Sequence, residues 1–505
     1  MEQFYYSWVR KLSFAIWFLL VFSFQAKALA FVEYTPNLKE GMNHLAALRL
    51  KQADQCFKRE ASLNQENIAT HYLNHYLAFF QIMIQHDKTM LPAFEKQNQI
   101  TLKKIESLAE SSPYRLFYQS SVHLQAAFVK GAFNEYLAAA WDFRTAFQEV
   151  NMNEKKFPNF LSHKKELGTL MALLGSFPPQ YNWILHAVGL EGDFNQGLVV
   201  LKKYIEHSQN EPSIERQQAT IIYALIQLNF GKDRETALQF YLPYSKESHT
   251  NLMQCYVKTY IAAKSGENDL ALKVLRARPT GDSYQHIIYL DYIMGDLLLH
   301  QLDQNAAIHY KKYITFSKTK NSIKEAYQKL SWLAWLEKDT SKFFIYHDLM
   351  QKHTKDAGSE LKLLQSDLKN GIYPSLPLLK SRLLFDGGYY EKALALLLDV
   401  NISKLPSVFQ QVECKYRLGR IYQELNKPSE AINYYKASLE AGAGLKTYLN
   451  PNACLQLGLI YENMNYKNIA KSYYEKVSSF TQVDYESSMH QKAKTNIWRL
   501  KQNKE

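Results

Sequence analysis

"YRLGRIYQELNKPSEAINYYKASLEAG", Tyr416 to Gly442, reads as two helices with a stop between them. Leu418, Gly419 and Tyr422 fall on one helical face. Asn426-Lys427-Pro428 is a polar turn whose proline suits the first position of a new helix. Ala431 and Tyr435 then lie one turn apart on that second helix. The pattern returns in "LQLGLIYENMNYKNIAKSYYEKV", Leu455 to Val477, where Leu457, Gly458 and Tyr461 repeat the first set and Ala470 and Tyr474 the second. Gly419 to Gly458 and Ala431 to Ala470 are both steps of 39 residues. Small residues at a helix crossing let two antiparallel backbones approach, and the tyrosine rings fill the space beside them.

Weaker copies run upstream. Gly388, Ala393 and Leu397 repeat the turn and second helix, as do Gly266, Ala271 and Leu275, and Gly231, Ala237 and Tyr241; Ala306 with Tyr310 fits as well. The steps from Ala237 to Ala271 (34 residues) and to Ala306 (35) match the period of the tetratricopeptide repeat. The Leu-Gly-x-x-Tyr first helix and Ala-x-x-x-aromatic second helix resemble that family. Glycine (19) and proline (14) are scarce in 505 residues, as expected of a chain rich in helix. No segment alternates apolar and polar residues in the manner of a strand. The expected fold is all-α, an α-solenoid of antiparallel helix pairs, continuous, divergent at its N-terminal end and regular after residue 376.

"GSFPPQYNWILHAVGLEGDFNQGLVVL", Gly175 to Leu201, is the densest punctuation. It is expected to be a corner of the stack, not a phosphate cradle, which would need a preceding strand and more glycine. Pro178-Pro179 starts a first helix, Gly192-Asp193 is the inter-helix turn, Asp193 caps the second helix, and Gly197 stands where other pairs have alanine. Asn450-Pro451 is expected at the N-cap and first position of another helix. The polar stretch 351–375 reads as a spacer with one helix. The expected divisions are 1–30, 31–175, 176–350, 351–375 and 376–505.

The first thirty residues have the form of a secretory signal: Arg10-Lys11, the apolar run Leu12 to Phe24, and Ala28-Leu29-Ala30. Cleavage after Ala30 would place the mature protein outside the cytoplasm, periplasmic or extracellular; an uncleaved anchor is the alternative. The net charge of +12 comes from dispersed lysines beside glutamates, which reads as solvated helix faces. Nucleic acid is not an expected partner; peripheral association with an anionic envelope surface is compatible with the charge. Cys56, Cys255, Cys414 and Cys454 lie far apart and read as buried small hydrophobes, with a Cys414–Cys454 bridge as the alternative.

"SPYRLF" (Ser112–Phe117), "KKFPNF" (Lys155–Phe160) and "LGTLMALLGSFPPQYNW" (Leu167–Trp183) look like a group of exported bacterial helical-repeat proteins without assigned activity. The Leu-Gly…Pro-Pro…Gly-x-x-Gly-Asp succession is also similar to the eukaryotic tetratricopeptide-repeat-39 and inclusion-body-clearance proteins. That resemblance implies a non-enzymatic adaptor, and in its eukaryotic members a link to lipid and aggregate handling. In the tetratricopeptide family the groove-facing positions lie three before and one after the glycine of Leu-Gly. Here they are Tyr416 and Arg420, then Leu455 and Leu459, and by alignment on Ala393, Leu378 and Arg382. Arg382, Tyr416 and Arg420 are the candidate partner-binding residues. The Lys and Asn that grip a terminal carboxylate in chaperone-tail binders are not at these positions. A mixed apolar and arginine groove suits an extended or helical peptide of some acidic character. The opposing reading pairs both arginines with neighbouring glutamates on a solvated face.

Motifs for chemistry are missing: there is no G-x-S-x-G, H-E-x-x-H or C-x-x-C. His71 and His75, one turn apart, could hold a metal, yet no carboxylate nearby completes the set, and Tyr72, Leu73, Tyr76 and Leu77 around them favour packing. "GAGLKT" (Gly442–Thr447) is an inter-repeat linker. Trp332 and Trp335 read as core aromatics rather than a ligand platform. Asn401-Ile402-Ser403 has the form of a glycosylation sequon. No cofactor is called for. The function expected is protein–protein interaction, as a scaffold or adaptor. A lipid or apolar-ligand carrier and an enzyme built from scattered residues stay open beside it.

Overall fold

The computed structural model describes residues 30–176, 190, 192–208, 213–231, 234–318, 322–354 and 358–502. The signal-like segment before Ala30, and the helix expected to start at Pro178-Pro179, lie outside the described residues. What is described is helical, and no β-strand is present among these residues beyond one isolated bridge between Phe31 and Asn67. No described helix is long and apolar enough to cross a membrane.

The helices form antiparallel pairs. In chain order they are α1 (Pro36–Ala46) with α2 (Leu50–Leu63), α3 (Ile68–Gln85) with α4 (Leu91–Ile105), and α5 (Pro113–Ala132) with α6 (Tyr136–Lys156). Next come α7 (Lys164–Gly175) with α8 (Phe194–His207), α9 (Ser213–Phe230) with α10 (Arg234–Tyr241), and α11 (Leu252–Lys264) with α12 (Asn268–Arg276). Then follow α13 (Tyr289–His300) with α14 (Ala306–Phe316), and α15 (Ile323–Leu336) with α16 (Thr340–Lys352). A lone helix, α17 (Ser359–Lys369), precedes α18 (Leu376–Asp386) with α19 (Tyr390–Leu398). The last pairs are α20 (Val408–Glu424) with α21 (Pro428–Ala441) and α22 (Leu449–Asn463) with α23 (Lys467–Val477), closed by α24 (Glu486–Gln502).

One turn recurs between paired helices. Asn134, Gly266, Leu302, Lys338, Gly388, Asn426 and Asn465 each adopt positive φ where a first helix reverses into a second. The residue in the left-handed region satisfies the carbonyls left open at the helix end. Behind each turn the crossing is tight. Ala237, Ala271, Ala306, Ala393, Ala431 and Ala470 are all fully buried. A methyl group at Gly419 would stand 2.8 Å from the Tyr435 ring, and one at Gly295 would stand 2.8 Å from Tyr310. The hydroxyls of these buried rings reach back to the first helix: Tyr435 donates to Gln423 Oε1 (2.7 Å), Tyr474 to Glu462 Oε2 (2.7 Å) and Tyr310 to Asp296 Oδ1 (2.6 Å). At these three positions the hydroxyl gives tyrosine a bond that phenylalanine could not make.

Several expectations are revised in detail. Gly197 does pack against a backbone, but the described helix it meets is α7: a methyl group there would stand 2.7 Å from the Cα of Ala172. The division expected at residue 175 therefore falls between two packed helices. Asp193 caps α8 as expected, accepting from Gln196 N at 2.8 Å. Asn450 is not an N-cap. It sits inside the first turn of α22, buried, and its amide donates to Gly442 O (2.8 Å) and Leu445 O (3.3 Å), tying down the linker. The four cysteines are buried and free, Cys414 and Cys454 included.

The stack is also not a simple succession of neighbours. One apolar core runs from Leu38 to Leu383, because α1–α3 rest against the central helices. Gln217 donates to Ala46 O (2.9 Å), and Gln285 N donates to Leu48 O (2.9 Å). The sequence reason is α3, which buries ten residues around its girth and so needs cover on more than one side. Further on, α18 packs against α13 and α15. The turn at Gly388 touches that at Gly266, and Tyr389 OH donates to Asp269 Oδ1 at 2.5 Å.

Candidate functional site

Three pairs and one closing helix, α18 to α24, present their first helices side by side. Alignment of the first of these pairs through Ala393 puts Ser381 where the others have Gly419 and Gly458. Ser381 is fully buried and its hydroxyl donates to Ala393 O at 2.9 Å, so a small residue again marks the crossing. That fixes the register of Arg382 on α18 relative to Arg420 on α20.

Arg382, Tyr416 and Arg420 line one cavity of about 170 Å³, together with Ser381, Phe385, Asp386, Arg417, Tyr448 and Asn452. Small-molecule sites usually enclose about 300 to 1,000 Å³. This one has the size for a side chain or a chain end. The other expected groove positions separate by depth. Leu378 and Leu455 are buried in the apolar core, whereas Leu459 is half-buried. The position three before the glycine is thus mainly a packing position, and Tyr416, itself buried, reaches the cavity only because its ring is long.

The arginines are held in place. Arg417 Nε donates to Glu413 Oε1 at 2.8 Å, with a second contact from Nη2 to the same oxygen. Arg420 Nη2 lies 3.4 Å from Glu424 Oε1, and its guanidinium stacks over Phe385 at 5.1 Å. Its Nε is buried and has no acceptor among the described residues. Arg382 stacks over Trp332 at 4.8 Å and lies 3.8 Å from Glu360 Oε1. At that distance it is an ion pair and not a hydrogen bond. Burial works against the charge on Arg382, but Tyr448, Glu360, Asp386 and Glu413 around it outweigh burial and keep the guanidinium protonated. Each candidate arginine has a glutamate beside it, and each also lines the cavity.

Arg417, Tyr448 and Asn452 were not anticipated. A signal for Arg417 was present: Glu413, Arg417, Arg420 and Glu424 fall at intervals of four, three and four residues and form one charged stripe on α20. Trp335 is a packing residue as expected, stacked on Tyr373 at 5.1 Å with its Nε1 donating to Pro374 O. Trp332 also carries Arg382, which makes it part of the site's wall.

Other chemistry-bearing residues lie elsewhere. His75 is fully buried, its Nδ1 2.9 Å from Gln125 Oε1 and its ring against Phe94, while His71 is half-buried. A buried ionic cluster joins α7 to α9. Lys165 lies 3.0 Å from Glu166 Oε1, contacts Glu215, and reaches Tyr76 OH (3.0 Å) and Gln218 Oε1 (3.1 Å). Burial pushes the Glu166 carboxyl up to about 7, with Lys165 opposing it. Residues this deep organise a core. On α6, Tyr136, Leu137 and Trp141 are exposed together.

The tetratricopeptide repeat family model matches residues 412–441 and 451–482, the two units that include α20 to α23. No curated protein matches the chain. Among solved structures, the apo form of the quorum sensor NprR from B. thuringiensis overlays at 12% identity, covering 80% of this chain and 97% of that one, with a TM-score of 0.31. The P58(IPK) TPR domain overlays at 16% identity, covering 83% and 97%, with a TM-score of 0.20. At such TM-scores the overlays carry no inference about this chain.

Proposed function

We propose that the protein is a non-enzymatic interaction scaffold of the cell envelope, exported and processed after Ala30, that holds an acidic segment of a protein partner in its C-terminal groove. The observation that carries this reading is the convergence of Arg382, Arg417 and Arg420 with Tyr416 and Tyr448 on one small cavity. Arginine and tyrosine are enriched among the residues that dominate binding energy, and stacked guanidinium groups meet a carboxylate with little loss of freedom. The repeat units in which α20 to α23 lie are matched by a family known for protein interaction. The signal-like segment and the dispersed positive charge support an envelope location.

The test replaces Arg382 and Arg420 by alanine together. Both are mostly covered and stacked on aromatic rings, so the double variant should lose about 1 to 3 kcal/mol of stability, and thermal unfolding checks that it still folds before capture is measured. Capture of the partner from envelope extracts should fall on the order of 30-fold, as for loss of residues worth about 2 kcal/mol. Undiminished capture would reject the groove.

A further inference from the structure

α17 is the helix that stands outside the pairing. Not one of its residues is buried, and its four leucines, Leu361, Leu363, Leu364 and Leu368, are only half-buried. A helix of 11 residues is marginal in water by itself. Beside its leucines, the polar contacts that hold this one come from the C-terminal array. Helices are normally capped by the residue before them; here that residue is Gly358, which has no side chain to offer. The cap is supplied by Asp484, in the loop between α23 and α24. Its carboxylate accepts from Ser359 N (3.0 Å) and Glu360 N (2.8 Å), and its own amide donates to Ser359 Oγ (3.1 Å). Asp484 also fills the space a side chain at position 358 would need: its Cγ would lie 2.7 Å from a methyl group there. At the other end, Asp367 accepts from Ser407 Oγ at 2.8 Å, at the N-cap of α20. Between the two ends, Glu360 faces Arg382.

We infer that α17 is a resident competitor for the groove, and that the partner it gives way to is itself a short helix opening with a Ser-Glu-type acidic first turn. The inference rests on the groove reading above and deepens it. Asp484 supplies a helix cap that any incoming helix N-terminus can use, and Arg382 supplies a counter-charge for a glutamate in its first turn. A partner helix must replace the leucine surface that α17 covers as well as its acidic first turn, so the exchange is between like and like. The short link from α17 to α18, residues 370–375, keeps α17 at high effective concentration, which a partner must outcompete.

The experiment uses the full chain and a fluorescein-labelled synthetic peptide with the sequence of residues 358–370, read by anisotropy. Gly358→Ala and Glu360→Lys each unseat α17 while leaving Asp484 and Arg382 in place. Each variant should bind the peptide on the order of tenfold more tightly than the unaltered chain, the gain expected when the open state rises from about a tenth of the population. Adding Arg382→Ala should remove the gain, and a peptide carrying lysine for its glutamate should not bind. Unchanged melting temperatures would confirm that the variants fold. Equal affinity for the variants and the unaltered chain overturns the competitor while leaving an Arg382-dependent groove intact. Absence of peptide binding in every chain overturns the proposed partner chemistry, and the partner-capture test above then decides the groove separately.

Discussion

His75 should make the N-terminal region lose stability in mild acid, and the size of the loss follows from where the ring sits. Its surface is fully buried between α3 and its neighbours. Gln125 Oε1 can only accept, so Nδ1 carries the proton and Nε2 of the neutral ring has none. Burial pushes the ring's pKa from 6.5 down to about 4; hydrogen bonding with Gln125 and Asn98 opposes the effect, and the nearby His123 adds to it. The unfolded chain therefore takes up a proton as pH falls through 6.5, while the folded chain waits until about 4. Stability contributed by the neutral ring is complete above the unfolded value and is lost as pH falls between the two. At pH 5 the loss is about 2 kcal/mol, out of about 3 at the acid end. The assay is urea unfolding at pH 7 and pH 5 of the unaltered chain and of His75→Gln, which cannot titrate. The unaltered chain should lose about 2 kcal/mol more than the variant over that interval. Equal losses would show that the ring is solvated or already paired in acid, and the buried placement would be refuted.

Other substitutions test the packing. Gly458→Ala drives a methyl group into the Tyr474 ring, where Cζ would be 2.8 Å away, and should cost about 1 to 3 kcal/mol in thermal unfolding. Gly131→Ala, late in α5 with nothing within 4 Å, should be neutral or stabilising by up to about 1 kcal/mol. Lys165→Met strands Glu166 and Glu215 in a dry site and should cost about 3 to 5 kcal/mol at neutral pH. Part of that cost should return as pH is lowered, since protonation relieves the stranded carboxylates; a variant as stable as the parent at pH 7 would contradict the buried cluster.

The helix pairs could be read from the chain because each crossing is a local event. A small residue, a turn and a ring sit within one repeat, and Gly419, Ala431 and Tyr435 show all three. The candidate arginines were reachable for the same reason, once the register was carried back from Ala431 to Ala393. Contacts between distant parts of the chain left no such periodic trace. Nothing local announces that α1–α3 rest against the central helices, that the turns at Gly266 and Gly388 meet, or that Asp484 caps a helix 125 residues away. Lys165 stands in the chain beside Lys164 with nothing local to mark it for the core; it is buried because Glu215 and Tyr76 converge on it from other helices. Tyr448 and Asn452 escaped because they wall the groove about two turns and one turn, respectively, before the repeat position at Leu455.

Whether a partner occupies the C-terminal groove is read directly by site-specific photo-crosslinking in the native host. A photoreactive residue would replace Asn452 in the groove, Ile469 on the exposed face of α23, or Leu137 in the exposed apolar cluster of α6. The groove reading predicts a discrete protein adduct from position 452 that is lost when Arg382 is changed to alanine, with none of that adduct from 469 or 137. An adduct from position 137 alone, or one from 452 that ignores Arg382, would contradict it.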